Sequence, residues 1–97
     1  MRIAAAELRR LRNAVPVDEV IRQLGIPHKR RDGLLRFCCP LCSDFHTATH
    51  HSTNLARCFR CRRNFNPLDL VIVVERVSFL DAVSWLRPLL PGAPQEA

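Results

Sequence analysis

Apolar residues recur along this chain in rhythms that change three times. Leu8 and Leu11, set in an Ala- and Arg-rich opening, predict an exposed helix over residues 2–13. Beyond Pro16, the residues Val17, Val20, Ile21 and Leu24 fall at i, i+3, i+4 and i+7. That spacing is one face of a second helix, and Gly25 supplies its stop. Asp18 and Glu19 lie in its first turn, where the helix dipole favours anions. After Ile26-Pro27 the pattern turns to strands. Asp32-Gly33 is a hairpin-turn dipeptide, and Leu34-Leu35-Arg36-Phe37-Cys38 reads as a strand. Residues 45–51 read as a second strand, Ser52-Thr53-Asn54 as a turn, and Leu55-Ala56-Arg57-Cys58-Phe59 as a third.

From residue 66 the rhythm is helical again, despite Val71-Ile72-Val73-Val74, whose β-branched side chains alone suggest a buried strand. The punctuation decides between the two. Asn66 is a good N-cap, Pro67 fits the first helical position, and Asp69 stands where a capping box needs it. Ser78 repeats the device with Asp81, ahead of Phe79, Val83 and Leu86 on one face; Phe79 and Trp85 read as packing anchors. Pro88 and Pro91 end that helix. No internal repeat is visible. The expected fold class is α+β: a small antiparallel sheet flanked by helices.

The chain has 97 residues, 47% hydrophobic and 25% charged, which describes one compact globular domain. A chain this short buries a modest share of its surface, so a metal staple matters to it. No apolar run approaches the roughly 20 residues that span a bilayer. The opening carries Arg2, Glu7, Arg9 and Arg10 in place of a signal-peptide core, so no membrane association and a cytoplasmic location are the expectation.

Four of the five cysteines form two C-x-x-C pairs, Cys39-x₂-Cys42 and Cys58-x₂-Cys61, with fifteen residues between the pairs. Two residues within a pair let both sulfurs of a tight turn reach one ion. Fifteen between the pairs leave room for a hairpin that sets the second knuckle opposite the first. One structural Zn²⁺ held by Cys39, Cys42, Cys58 and Cys61 follows, making the fold a zinc ribbon on the small sheet. A thioredoxin-like motif needs a C-x-x-C opening a helix in a parallel fold, which the chain lacks. A rubredoxin-like iron centre would use the same four sulfurs, although the basic surroundings give it no redox role. A catalytic zinc needs an open position, and Cys₄ sites are closed. Cys38, beside Cys39 in a strand, should point to the other face as a buried thiol. His46, His50 and His51 read as solvated or phosphate-contacting side chains rather than ligands.

Fifteen Lys and Arg against nine Asp and Glu give a formal charge of +6. Zinc held by four thiolates carries a net −2, leaving about +4, so an anionic partner is favoured and nucleic acid is the obvious candidate. Arg57, Arg60, Arg62 and Arg63 crowd the second knuckle, interleaved with Phe59 and Phe65. Lys29, Arg30, Arg31 and Arg36 form a second cluster on the hairpin. Basic grooves with aromatic platforms suit sequence-tolerant binding of single strands. Alternation sets Arg36 opposite Phe37, and Arg57 with Phe59 on one face. Phe37 and Phe59 are expected to pack the small core, whereas Phe65, between Asn64 and Asn66, is the better candidate for exposure.

The constellation Cys38-Cys39-Pro40-Leu41-Cys42, Cys58-Phe59-Arg60-Cys61, Asn66-Pro67-Leu68-Asp69-Leu70 and Ser78-Phe79-Leu80-Asp81-Ala82-Val83 resembles the zinc-binding domain of DnaG-type bacterial primases. The resemblance covers residues 15–88, with 1–14 as an N-terminal helix and 89–97 as a flexible tail. It implies a zinc ribbon that touches single-stranded template DNA during primer initiation. The implied protein partners are a primase catalytic subunit, a helicase or another replication protein. Cys42 stands where that family has His, which keeps the geometry and makes the ligand set Cys₄. Arg62, Arg63, Asn64 and Phe65 replace the glycines that usually follow the second knuckle, and Thr47-Ala48-Thr49 replaces a Thr-Pro-Ser segment. Primer synthesis in that family also needs a separate acidic, Mg²⁺-binding domain, and nine scattered carboxylates do not supply one, so no enzyme is expected. The alternative function is an adaptor that docks onto a partner protein through an apolar surface formed by Val71–Val74 and Leu89-Leu90.

Overall fold

The computed structural model describes residues 3–91. The elements run α1 (Ala5–Asn13), α2 (Val17–Gln23), β1 (His28–Arg31), β2 (Leu34–Phe37), β3 (Thr47–His50), β4 (Leu55–Cys58), β5 (Arg63–Phe65), α3 (Pro67–Glu75) and α4 (Phe79–Leu86), with a 3₁₀ turn at Arg87–Leu89. The fold class is α+β, as the periodicity implies. Residues 1–2 of the expected first helix and 92–97 of the expected tail lie outside the described residues. Leu89 and Leu90, read from the sequence as the start of that tail, pack half-buried against the core.

Local signals account for the element ends. Gly25 adopts φ 72°, and the Ile26 N–H bonds the Ile21 carbonyl at 3.1 Å while the Gly25 N–H bonds Arg22 at 3.0 Å. This is the Schellman closure that a left-handed glycine permits. Asp32 and Gly33, at φ 54° and 77°, join β1 to β2 through a two-residue loop with Arg31 opposite Leu34. Positive φ at both positions is the hairpin turn whose twist matches that of the strands. In α3 the capping box is complete: Asn66 Oδ1 accepts from the Asp69 N–H at 2.8 Å, and Asp69 Oδ2 accepts from the Asn66 N–H at 3.1 Å. Ser78 Oγ caps α4 by accepting from the Asp81 N–H at 3.1 Å.

The strands form two antiparallel sheets, β1-β2 and β3-β4-β5, where the sequence pattern suggested one. The reason lies at the seam. Thr47 is fully buried, and its hydroxyl accepts from the Phe37 N–H at 2.8 Å while donating to the Phe37 carbonyl at 2.7 Å. One side-chain oxygen thereby satisfies both backbone groups that a β2–β3 ladder would pair. The Arg36 guanidinium adds a bond to the Thr47 carbonyl at 2.6 Å.

A single core joins the helices to both sheets. Leu11, Val20 and Ile21 come from the N-terminal helices and Val15 from their junction, Leu35 and Phe37 from β2, Ala56 and Phe65 from the larger sheet, and Leu70, Val71, Val83 and Leu86 from the last two helices. Trp85 packs half-buried against it, as expected of an anchor. Phe79 differs: it is exposed beside Leu80, because the first turn of α4 runs past the edge of the core.

Candidate metal centre and nucleic-acid interface

The two cysteine pairs converge. Cys39 and Cys42 leave the end of β2, and Cys58 and Cys61 leave the end of β4, because the β3–β4 hairpin folds the intervening fifteen residues back on themselves. All four sulfurs lie within 4.8 Å of one another, and among the described residues this is the one cluster of His, Cys or carboxylate groups placed to hold a metal. Cys39 and Cys61 sulfurs stand 3.9 Å apart, and Cys42 and Cys58 sulfurs 3.6 Å. A tetrahedron with metal–sulfur bonds of about 2.3 Å has edges of about 3.8 Å, so the donor set fits a metal ion such as zinc. Such an ion would act as a cross-link between β2 and β4.

The surrounding backbone is arranged for anionic sulfur. The Leu41 N–H points at Cys39 Sγ and the Cys61 N–H at Cys58 Sγ, each at 3.4 Å. Hydrogen bonding to the Cys42 thiol, with burial, pushes Cys61 up to about 12. Burial likewise raises Cys39. At Cys58 burial acts upward too, yet the amides of Cys61 and Arg60 and the thiols of Cys42 and Cys39 bring it below its ordinary value. A bound divalent cation deprotonates such thiols outright. Cys38 stays outside the cluster, half-buried, with its sulfur 3.6 Å from the Ser43 carbonyl.

The candidate nucleic-acid residues divide by face. Cross-strand partners share a face, so Ala48, Arg57 and Asn64 stand together. Alternation adds His50 and Leu55, and just beyond the strands His46 and Phe59 continue the same side. Contacts bear this out: Arg57 Nη1 donates to Asn64 Oδ1 at 3.2 Å, its guanidinium lies 5.6 Å from the Phe59 ring centre, and the His46 and Phe59 rings are 5.2 Å apart. Phe59 is 43% exposed, so the expectation that it packs the core is corrected; Phe37 alone of that pair is buried.

Phe65 is corrected in the opposite sense. It is 1% exposed, packed in the core under the Arg63 guanidinium, and offers no face to a base. The sequence signal misled because β5, a strand absent from the sequence reading, turns Arg63 and Phe65 together to the face away from Arg57. Arg30 leaves the hairpin cluster for the same reason of alternation: it pairs with Asp18 at 3.8 Å. Lys29 and Arg36 are cross-strand partners, and with Arg31 they face Phe45 and His46 across a cleft between the sheets. Arg62 is exposed beyond the second knuckle, and Arg60 pairs with Asp44 at 3.4 Å. The His46 amide, then Arg60, hold the Asp44 carboxyl below the usual carboxylate range.

Two contributors went unrecognised in the sequence. Phe45, 38% exposed with the Lys29 ammonium 5.1 Å from its ring centre, carries no spacing signal. Asn54, taken only as a turn residue, is buried at φ 54°. Its Oδ1 accepts from the Val17 N–H at 2.9 Å, and its Nδ2 donates to the carbonyls of Arg12 and Val15 at 2.8 and 2.7 Å. It thus locks the β3–β4 turn to the α1–α2 junction. Its place, last in a Ser-Thr-Asn turn, is the single hint the sequence holds.

No helix among the described residues is long and apolar enough to cross a membrane. No protein-family model matches this chain, and no curated protein matches it.

Proposed function

We propose that this chain is a zinc-stabilised, non-catalytic module that binds single-stranded DNA, acting as a primase-like template-recognition or accessory protein in DNA replication. The observation that carries the reading is the exposed Phe59 ring, flanked by Arg57 and His46 on the shoulder of the second metal knuckle. An aromatic face in a basic frame stacks any base and neutralises the adjoining phosphate, with stacking contributing about 1–3 kcal/mol per base. Arg60 and Arg62 flank the same knuckle, and Lys29 and Arg36 extend the charge toward the hairpin. The metal serves as a scaffold in this reading, since four thiolates close its coordination. In this reading any polymerase chemistry comes from a partner such as a primase catalytic subunit.

The test is a salt titration of the zinc-loaded protein with labelled single-stranded and duplex DNA of one sequence. Single strands should bind more tightly, with log K falling against log salt by about 0.7 per phosphate contacted. Arg57→Ala should flatten that slope by about one such unit. Equal, weak binding to both forms, indifferent to Arg57→Ala, would sink the reading.

A second reading, a zinc-ribbon adaptor docked on a helicase or polymerase, draws support from the adjacent exposed pair Phe79 and Leu80. Co-purification of a stoichiometric partner that Phe79→Ala abolishes, with the arginines dispensable, would favour it.

A further inference from the structure

The cleft between the two sheets gathers more cations than the strip around Phe59, where Arg60 is paired with Asp44. On β1 and β2, alternation sends Leu35 and Phe37 into the core, and Lys29, Arg31 and Arg36 to the other side. Those three cations, with Asp32, Phe45 and His46, line a cleft of about 350 Å³. That volume lies within the range of small-ligand sites. Among the described residues none of the three cations is paired with a carboxylate, whereas Arg30 on the opposite face is held by Asp18. Arg36 uses one nitrogen on the Thr47 carbonyl, which fixes its guanidinium and leaves its remaining donors free. The lining charge, three cations against Asp32, is +2.

An internal phosphodiester carries one negative charge. A terminal phosphate monoester carries about −1.5 to −2 at neutral pH and offers three acceptor oxygens. Two arginine forks and an ammonium on one sheet face match the second better than the first. The Phe45 ring at the cleft wall supplies a π-face for the attached base, and His46, which lines the cleft and also packs its ring at 40° against Phe59, makes the cleft continuous with the strip. We propose that this cleft takes a nucleoside phosphomonoester, with the phosphate among Lys29, Arg31 and Arg36 and the base against Phe45. The inference rests on the single-strand reading above and goes beyond it: the ligand's source is either the phosphorylated end of a bound strand or a free mononucleotide.

The experiment uses zinc-loaded full-length protein and six probes: one oligonucleotide with a 5′-phosphate, with a 3′-phosphate or with hydroxyl ends, and free dAMP, deoxyadenosine and inorganic phosphate. Binding is followed by anisotropy for strands and by amide chemical shifts for small probes. One of the end-phosphorylated strands should bind about fivefold more tightly than the hydroxyl-ended strand, a gain typical of a few charge-assisted hydrogen bonds. Arg31→Ala should erase that preference, and Arg57→Ala should weaken all strands while leaving the preference intact. Equal binding of all three strands, with dAMP no better than deoxyadenosine, overturns the cleft assignment and leaves the single-strand reading standing. Inorganic phosphate binding as well as dAMP overturns it too, because the base then contributes nothing. Failure of every strand, with dAMP still perturbing cleft amides in an Arg31-dependent way, removes the single-strand reading and upholds the cleft as a mononucleotide site.

Discussion

In the first knuckle, Cys39-Pro40-Leu41-Cys42, the Leu41 amide points at the Cys39 sulfur; in the second, Cys58-Phe59-Arg60-Cys61, the Cys61 amide points at the Cys58 sulfur, at the same 3.4 Å. Each pair is followed by a residue in the left-handed region, Ser43 at φ 64° and Arg62 at φ 56°. The backbone thus solves the same problem twice: it turns tightly and aims amides at sulfur. The outward side chains differ. The first knuckle shows solvent Pro40 and Leu41, whereas the second shows an aromatic ring and arginines. The cysteine sulfurs with their backbone amides face inward and the intervening side chains face outward, so substitutions at the sulfurs and at the outward side chains perturb separate parts of the same turns.

The largest perturbation removes what the knuckles share. Structural zinc contributes about 10–16 kcal/mol to small domains, as much as or more than the entire ~5–15 kcal/mol stability of a typical one. Chelation should therefore abolish the cooperative thermal transition, and Cys58→Ser should reproduce the chelated protein by circular dichroism. Cys42→His should retain one equivalent of metal, since an imidazole nitrogen replaces a thiolate in tetrahedral Cys₃His zinc sites. A Cys42→His protein that folds without metal would break the equivalence of the two knuckles.

Next in size is the aromatic difference. Leu41 and Phe59 occupy outward positions of the two turns and are similarly exposed. Phe59→Ala should weaken single-strand binding about tenfold, the low end of a lost base stack. Leu41→Ala should change it by less than about twofold, within the scatter of a surface substitution. Equal losses from both, measured by anisotropy at one salt concentration, would mean that the strand crosses both knuckles and that the asymmetry is only chemical.

The metal centre was legible because ligand spacing is a one-dimensional property: two residues within a pair and a hairpin's length between pairs survive any detail of packing. Helix ends at Gly25, Asn66 and Ser78 were legible for a similar reason, since caps act within a few residues. Which aromatic faces solvent was not. Phe59 and Phe65 exchange the roles that their neighbours suggest, because exposure depends on the three-residue strand β5 and on which face it joins. A strand that short carries too little periodicity to read. Nor does sequence place Thr47 and Asn54, whose side chains bond backbone groups 10 to 42 residues away. Those contacts are long-range, and polar residues in a turn or strand look alike whether they are solvated or buried.

The smallest test addresses the residues that follow the knuckles. A residue with a Cβ pays roughly 1–2 kcal/mol to sit in the left-handed region. Glycine avoids that strain but loses about 0.5–1 kcal/mol more backbone entropy on folding. Ser43→Gly and Arg62→Gly should therefore both stabilise the zinc-loaded protein by about 0.5 kcal/mol, raising Tm by about 2–4 °C for a domain of this size. Their effects on DNA should diverge. Ser43→Gly removes no charge and should leave affinity unchanged, while Arg62→Gly should weaken binding and flatten the salt dependence by about 0.7. That pattern would mark Arg62 as backbone strain retained at a binding site for the sake of its guanidinium. Equal affinity in the two variants would make Arg62 a tolerated misfit and confine the interface to Arg57, Phe59 and the residues beside them.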